Sequence, residues 1–175
     1  MAVELETPVL QIVGFQNSGK TTLVTKIVHA LMNENFRVGT LKHHGHGGFP
    51  DVFDKGKDSE KHRHAGAVVT GVEGDGVFQL HAHSPTGWSI DDMLSFYNKL
   101  SLDLIVVEGF KKANFPKIVL IRSEEDMILL NKLTQIVLVI SWSKAVKSDA
   151  GIPCFNISAE NDYIEWIVSN LKGRI

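Results

Sequence analysis

The segment from Gly14 to Thr21 has the residue types and the spacing of a loop that binds the phosphates of a nucleotide. It reads GFQNSGKT and fits the pattern G-x-x-x-x-G-K-[ST] at every fixed position. Gly14 and Gly19 allow the backbone to turn tightly and to approach a phosphate without a side chain in the way. Lys20 would supply positive charge to the β- and γ-phosphates, and the Thr21 hydroxyl would ligate Mg²⁺.

The flanking sequence favours this interpretation over a chance match in a glycine-rich turn. A short apolar run, Pro8 to Gly14, precedes the motif and predicts a buried strand, and apolar residues recur at helical spacing over Lys20 to Asn33. Backbone amides at the start of a helix bind anions, so those from Asn17 to Thr22 should point at phosphate. The predicted nucleotide-binding residues here are Gly14, Asn17, Ser18, Gly19, Lys20, Thr21 and Thr22.

A carboxylate follows the most apolar segment of the chain. Leu102 to Val107 predicts a buried strand, and Glu108-Gly109 comes directly after it. Parallel α/β sheets bind their ligands at the carboxyl ends of the strands, so Glu108 should face a metal ion or an attacking water. Gly109 should permit close approach to the γ-phosphate. The alternative is that Glu108 is a solvated loop residue.

A third strand end carries basic residues. Phe36 to Lys42 predicts a strand, which places Lys42 and His43 at the same sheet edge as the phosphate loop. The loop that follows is rich in His and Gly, and we interpret it as facing phosphate or a partner. The alternative is a zinc site, although the stretch has no Cys and structural zinc needs four fixed ligands. Its histidines are His43, His44 and His46.

The acidic residues predict a magnesium shell and slow hydrolysis. Asp58 begins a short predicted helix, Asp58 to His64, after the His-rich loop. We expect Thr21 to touch Mg²⁺ directly, and Asp58 and Glu108 to act through water, because Mg²⁺ sheds its waters reluctantly. Lys20, Asp58 and Glu108 are thus the expected catalytic residues. No obvious Gln or Arg is placed to assist an attacking water, so unaided turnover should be slow.

Composition narrows the class of protein. The chain has 175 residues, a net charge of −2 and a single cysteine, Cys154. This predicts one domain over residues 1–175, without an internal disulfide, in the cytoplasm. The absence of a basic excess argues against nucleic acid as a partner, and no apolar run is long enough to span a membrane.

Strand and helix patterns alternate along most of the chain. The expected class is therefore α/β, a P-loop NTPase three-layer sandwich with a mostly parallel sheet. A β-hairpin insertion is expected where two strands flank Glu73-Gly74-Asp75-Gly76. The further expected elements are strands at Ala67–Val72, Val77–His81, Lys117–Ile121, Gln135–Ile140 and Cys154–Ile157, and helices at Ser89–Leu100, Glu124–Leu133 and Asp162–Leu171.

Taken together, the motifs resemble those of the MobB family, the molybdopterin-guanine dinucleotide biosynthesis adaptor proteins. The similarity extends to about Ile121. It implies a GTP-binding protein with weak GTPase activity that assists the enzyme attaching GMP to molybdopterin, with GTP and Mg²⁺ as cofactors. It also implies a homodimer, with a molybdopterin guanylyltransferase and molybdopterin as partners. The matching positions are Gly14–Thr22, Lys42-His43, Lys57-Asp58-Ser59 and Glu108-Gly109.

Two other functions fit the same phosphate loop. A small-molecule kinase would need a lid with several Arg residues, and the four Arg of this chain form no cluster in sequence. An interaction module that uses nucleotide only for stability is the other alternative. The guanine motif Asn-Lys-x-Asp is not found, since Asn131-Lys132-Leu133-Thr134 lacks the Asp. Guanine preference therefore rests on the resemblance, and Ser141 and Trp142 are the weak candidates for base contact.

Overall fold

The computed structural model describes residues 7–45, 48–143 and 151–173, which divide into two compact units. The larger unit comprises Met1–Gly45 and Ile90–Ile175, and the smaller unit comprises His46–Ser89. Among the described residues, no helix combines the length and the apolar character needed to cross a membrane. The elements in chain order are β1 (Val9–Val13), α1 (Lys20–Asn33), β2 (Val38–Lys42), α2 (Asp58–His64), β3 (Val69–Gly74), β4 (Val77–Ala82), α3 (Ile90–Tyr97), β5 (Leu104–Glu108), β6 (Lys117–Ile121), a 3-10 turn (Glu124–Met127), α4 (Ile128–Lys132), β7 (Ile136–Ser141), β8 (Cys154–Asn156) and α5 (Glu160–Lys172).

The larger unit is built on a six-stranded parallel sheet in the order β2-β5-β1-β6-β7-β8. Its central strands β5, β1, β6 and β7 are largely apolar, because helices cover both faces and successive side chains point to opposite sides. On β5, for example, Leu104 and Val106 pack with α1 and α5, whereas Ile105 and Val107 pack with α3. The sheet with a helical layer on each face confirms the predicted three-layer α/β fold.

The sheet order brings the candidate site residues to one edge. β1 lies between β5 and β6, and the chain leaves β1 through α1 to reach β2 on the far side of β5. The carboxyl ends of β1, β2 and β5 therefore lie at one edge of the sheet. That edge, beside the strand where the order reverses, is where α/β sheets bind ligands.

The smaller unit contains the predicted hairpin, with a tighter turn than expected. Gly74 pairs with Val77, so only Asp75 and Gly76 form the turn. Both have positive φ, 50° and 79°, as a two-residue Asp-Gly turn of the I′ type requires. β3 consequently extends to Gly74, two residues beyond the predicted end of that strand. In the same unit, Arg63 donates to Asp54 at 2.8 Å, and this hydrogen bond holds the pKa of Asp54 below its usual value.

Two predicted helices differ from those observed. α3 ends at Tyr97, short of the predicted end at Leu100. The segment predicted as one helix from Glu124 to Leu133 is a 3-10 turn followed by the short helix α4. Buried Asp126 explains the tight first turn, because its carboxylate accepts the Arg122 amide at 2.8 Å and ties the turn to the end of β6.

Candidate nucleotide-binding site

The segment between β1 and α1 is folded as an anion-binding loop. Asn17 and Gly19 have positive φ, 59° and 94°, which turns the chain sharply before α1 begins at Lys20. Gly does this without a Cβ penalty, and Asn is one of the few other residues that tolerates it. The loop therefore ends at the amino end of α1, where unpaired amides and the helix dipole favour an anion.

Gly14 is required because of the space that Ser18 occupies. Ser18 is buried, and its Oγ would lie 2.4 Å from a Cβ placed on Gly14. The carbonyl oxygen of Leu120 would lie 3.1 Å from the same Cβ, so backbone as well as side chain closes the space. The first glycine of the motif thus permits the close packing of the loop on itself and on β6.

Lys20 lies within the loop. Its Nζ donates to the Phe15 carbonyl at 2.7 Å. Burial lowers the pKa of Lys20, Glu108 opposes that change, and the positive charges of Lys111 and Lys42 lower it further. Several cations therefore gather at this loop, as a site for a polyanion requires.

Thr21, Glu108 and Lys42 meet at the sheet edge. The Thr21 hydroxyl donates to the Glu108 carboxylate, with its Oγ1 2.9 and 3.0 Å from the two carboxylate oxygens. Lys42 Nζ lies 3.2 Å from Glu108 Oε1 and donates to Thr21 Oγ1 at 3.1 Å. Glu108 is only 7% exposed, so it is not the solvated loop residue of the alternative interpretation.

His43 and Gly109 pack against each other beside this cluster. The His43 amide donates to the Glu108 carbonyl at 2.9 Å, and its ring lies 4.7 Å from the Phe110 ring. Gly109 has φ of 94°, and a Cβ there would lie 3.0 Å from His43 Cβ. His43 therefore contacts the backbone that carries Glu108.

The remaining predicted residues are Thr22, Asp58 and His46. Thr22 is exposed in the first turn of α1, and its α-phosphate contact stays a prediction. Asp58 begins α2 in the smaller unit, is exposed, and accepts the Ser59 amide at 2.9 Å. Its metal role also stays a prediction. His46, part of the zinc alternative, lies outside the described residues.

Three residues that contact the site were not assigned a structural role from sequence. Gln11, fully buried in β1, donates to the carbonyls of Gly109 and Phe110 at 2.6 Å each. Trp142 Nε1 donates to the Ser18 carbonyl at 3.2 Å, which places the indole against the phosphate loop. The signal for Gln11 was a polar residue inside an apolar strand, but its partners are 98 and 99 residues away in sequence. The third residue that contacts the site is Lys111, whose Nζ lies over the ring of Phe15 in the phosphate loop.

The arrangement suits a nucleoside polyphosphate with a hard divalent cation. The loop offers backbone amides and Lys20 to phosphate oxygens. Thr21 and Glu108 offer a hydroxyl and a carboxylate, the oxygen donors that Mg²⁺ prefers. The residues present therefore fit both groups.

Comparison with known proteins agrees with the motifs. A profile of the family described as "Molybdopterin guanine dinucleotide synthesis protein B", MobB, matches residues 9–142. A Bacillus subtilis (strain 168) protein described as a "Probable molybdopterin-guanine dinucleotide biosynthesis adapter protein" is 38% identical over 99% of this chain and 98% of its own. A Haemophilus influenzae adapter protein of the same pathway is 31% identical over 93% and 90% of the two chains.

The solved structures give the same result for the fold. The crystal structure of Bacillus subtilis MobB matches with a TM-score of 0.79 and 39% identity. That match covers 95% of this chain and 99% of the other. Family profile, full-length relatives and fold coincide, and the resemblance inferred from the motifs is confirmed: the chain belongs to the MobB family.

Proposed function

We propose that this protein binds GTP with Mg²⁺ at the loop 14–21 and serves as an adapter in molybdopterin-guanine dinucleotide biosynthesis. The adapter role follows from membership of the MobB family, whose curated relatives carry that name. The observation that supports nucleotide binding best is the cluster of Thr21, Glu108 and Lys42 at the end of the phosphate loop. The amino end of α1 and the carboxyl ends of β2 and β5 meet there, and their side chains are of the types that bind a metal-bound triphosphate.

The phosphate loop and each residue of the cluster have a role in this proposal. Lys20 neutralises the β- and γ-phosphates, the loop amides hold the β-phosphate, and Lys42 faces phosphate when the nucleotide is bound. Thr21 would ligate Mg²⁺ directly, and Glu108 would bind it through water. When bound, Mg²⁺ supplies positive charge that stabilises negative charge on the phosphates. Glu108 also contacts Thr21 of the loop, where it could orient an attacking water. We expect GTP hydrolysis by this protein without a partner to be slow.

The test of nucleotide binding is calorimetric titration of the purified protein with GTP, GDP and ATP in the presence of Mg²⁺. Lys20→Ala should weaken GTP binding by about 2–5 kcal/mol, the scale for losing one partner of a desolvated charge pair. Lys26→Ala is the matched control, because Lys26 lies on the same helix but pairs with Glu160. Equal GTP affinity in Lys20→Ala and the parent protein would refute the nucleotide site.

The adapter proposal needs its own measurement. The expected partners are the molybdopterin guanylyltransferase and molybdopterin. Formation of molybdopterin-guanine dinucleotide by that enzyme should rise when the parent protein and GTP are added, and should rise less with Lys20→Ala. Equal stimulation by both proteins would separate the adapter role from nucleotide binding. No stimulation by either would refute the adapter role.

The hairpin supports a homodimer as part of the same proposal. Opposite residues in the β3–β4 pairing share a face, which places Val69, Phe78 and Leu80 together. They are 51%, 65% and 47% exposed, respectively. An exposed apolar face on a two-stranded sheet is typical of an interaction surface, since such a hairpin is marginally stable by itself. A second copy of the chain is the proposed occupant of that face.

A further inference from the structure

Lys111 lies over the phosphate loop from a different part of the chain. It belongs to the segment between β5 and β6, and its Nζ is 4.1 Å from the centroid of the Phe15 ring. Phe15 is the first variable residue of the phosphate-binding motif, and its carbonyl accepts the hydrogen bond from Lys20 at 2.7 Å. The Lys111 ammonium thus stands over the residue that holds the phosphate-binding lysine.

Buried polar side chains fix both ends of the segment that carries Lys111. At one end, the two hydrogen bonds from Gln11 hold Gly109 and Phe110, whose φ values are 94° and 50°. At the other end, Lys117 donates to the carbonyls of Ala113 and Phe115 at 2.6 and 2.8 Å. Lys117 is 1% exposed and Gln11 is fully buried. Burying a donor group is costly unless it is hydrogen-bonded, and the side-chain nitrogens of Gln11 and Lys117 both donate to the backbone of this one segment.

The contact between Lys111 and Phe15 is one that Lys111 can leave. Phe15 is 39% exposed, and a cation–π contact at an exposed ring is weak. A hydrogen bond from an ammonium to a phosphate oxygen is stronger, because both groups are charged. Lysine also carries its charge on a flexible four-carbon stem, which permits a change of partner without movement of the backbone.

We propose that Lys111 is a third phosphate-binding lysine, beside Lys20 and Lys42, and that it contacts the terminal phosphoryl group of a bound nucleoside triphosphate. The proposal rests on the proposed function, since it deepens the description of the same site. Its consequence is specificity for the number of phosphates. Lys111 strengthens binding of a triphosphate and contributes little to binding of a diphosphate.

The test compares GTP and GDP affinity by calorimetry, with Mg²⁺ present, in the parent protein and four variants. Lys111→Ala should weaken GTP binding by about tenfold, the effect of losing one charge-assisted hydrogen bond, and GDP binding by less than about threefold. Lys111→Arg keeps the charge and should recover most of the GTP affinity. Lys112→Ala is the matched control, because Lys112 is the exposed neighbour in the same segment. The fourth variant, Lys20→Ala, should weaken binding of both nucleotides.

The outcomes separate this proposal from the function on which it rests. The nucleotide site stands if the parent protein binds GTP and Lys20→Ala binds it more weakly. In that case, the role of Lys111 is refuted if Lys111→Ala weakens GTP and GDP binding equally or changes neither affinity. If the parent protein binds neither nucleotide, the proposed function and the role of Lys111 are refuted together. A thermal melt of Lys111→Ala matching that of the parent shows that any selective loss for GTP is not a folding defect.

Discussion

Replacing Lys42 with methionine should make the site bind a divalent cation more tightly. Lys42 Nζ lies 3.1 Å from Thr21 Oγ1 and 3.2 Å from Glu108 Oε1. These are the two oxygen-bearing groups proposed for Mg²⁺. The ammonium and the metal ion therefore compete for the same partners, and a neutral side chain of similar length removes the competitor.

The magnitude follows from the exposure of the ion pair. The Lys42 side chain is 58% exposed and that of Glu108 is 10% exposed. Two unit charges at this separation attract by about 1 kcal/mol in a water-like medium, and measured exposed pairs contribute ~0.2–1 kcal/mol. An upper value of about 1 kcal/mol corresponds to roughly a fivefold change in affinity. We therefore expect Lys42→Met to tighten cation binding by up to about fivefold.

Paramagnetic resonance with Mn²⁺ as the probe measures this affinity without nucleotide. Lys172→Met is the control, because it removes a lysine from an ion pair with Glu34 at the carboxyl ends of α5 and α1, at the opposite end of α1 from Thr21. The same Lys42→Met variant should bind GTP more weakly at saturating Mg²⁺. In the parent protein, the Lys42 ammonium is proposed to face phosphate once Mg²⁺ takes its place, and the variant lacks that charge. Unchanged or weaker Mn²⁺ binding in Lys42→Met would refute the competition between lysine and metal ion.

Three further predictions concern packing, the metal and assembly. Gly14→Ala should destabilise the fold by about 1–3 kcal/mol in urea unfolding, because the new Cβ would lie 2.4 Å from Ser18 Oγ. Gly45→Ala, whose Cβ meets nothing within 4 Å, should leave stability unchanged within error, and equal losses in both would contradict the argument. Glu108→Gln should reduce the Mg²⁺ dependence of GTP hydrolysis and its rate while GDP still binds; parental rate and Mg²⁺ requirement would make Glu108 a bystander. Light scattering should give twice the chain mass of 19.4 kDa for the parent protein and a lower mass for Phe78→Ser, and a monomeric parent would refute the dimer.

Local patterns in the sequence were sufficient to predict most of the fold. Apolar runs bounded by Gly, Pro or charged residues became the central strands β1, β5, β6 and β7, because a strand covered on both faces must be largely apolar. The phosphate loop was predictable for a different reason. Its conformation requires glycine and asparagine at particular positions, and those requirements are visible as a motif.

The contacts that complete the site were less accessible from sequence. The motif and strand ends placed Thr21, Lys42 and Glu108 at one edge, but the hydrogen bonds among them depend on side-chain conformations that no local pattern specifies. Gln11 is the clearer case. A polar residue in an apolar strand indicates a buried partner, yet the partner is a backbone turn that only the tertiary fold brings to it.

The register of the parallel sheet is what makes the cluster possible. Lys42 is the partner of Glu108 between β2 and β5, and Ile12 is its partner between β5 and β1. Neighbouring strands lie about 4.8 Å apart, so Lys42 and Glu108 are close enough to pair. A slip of one residue between β2 and β5 would turn one of the two side chains to the opposite face of the sheet. A slip of β5 would also exchange the apolar side chains that pack against α1 and α5 with those that pack against α3, so both faces of the sheet would have to repack. Packing far from the phosphate loop thus fixes the position of the charges beside it.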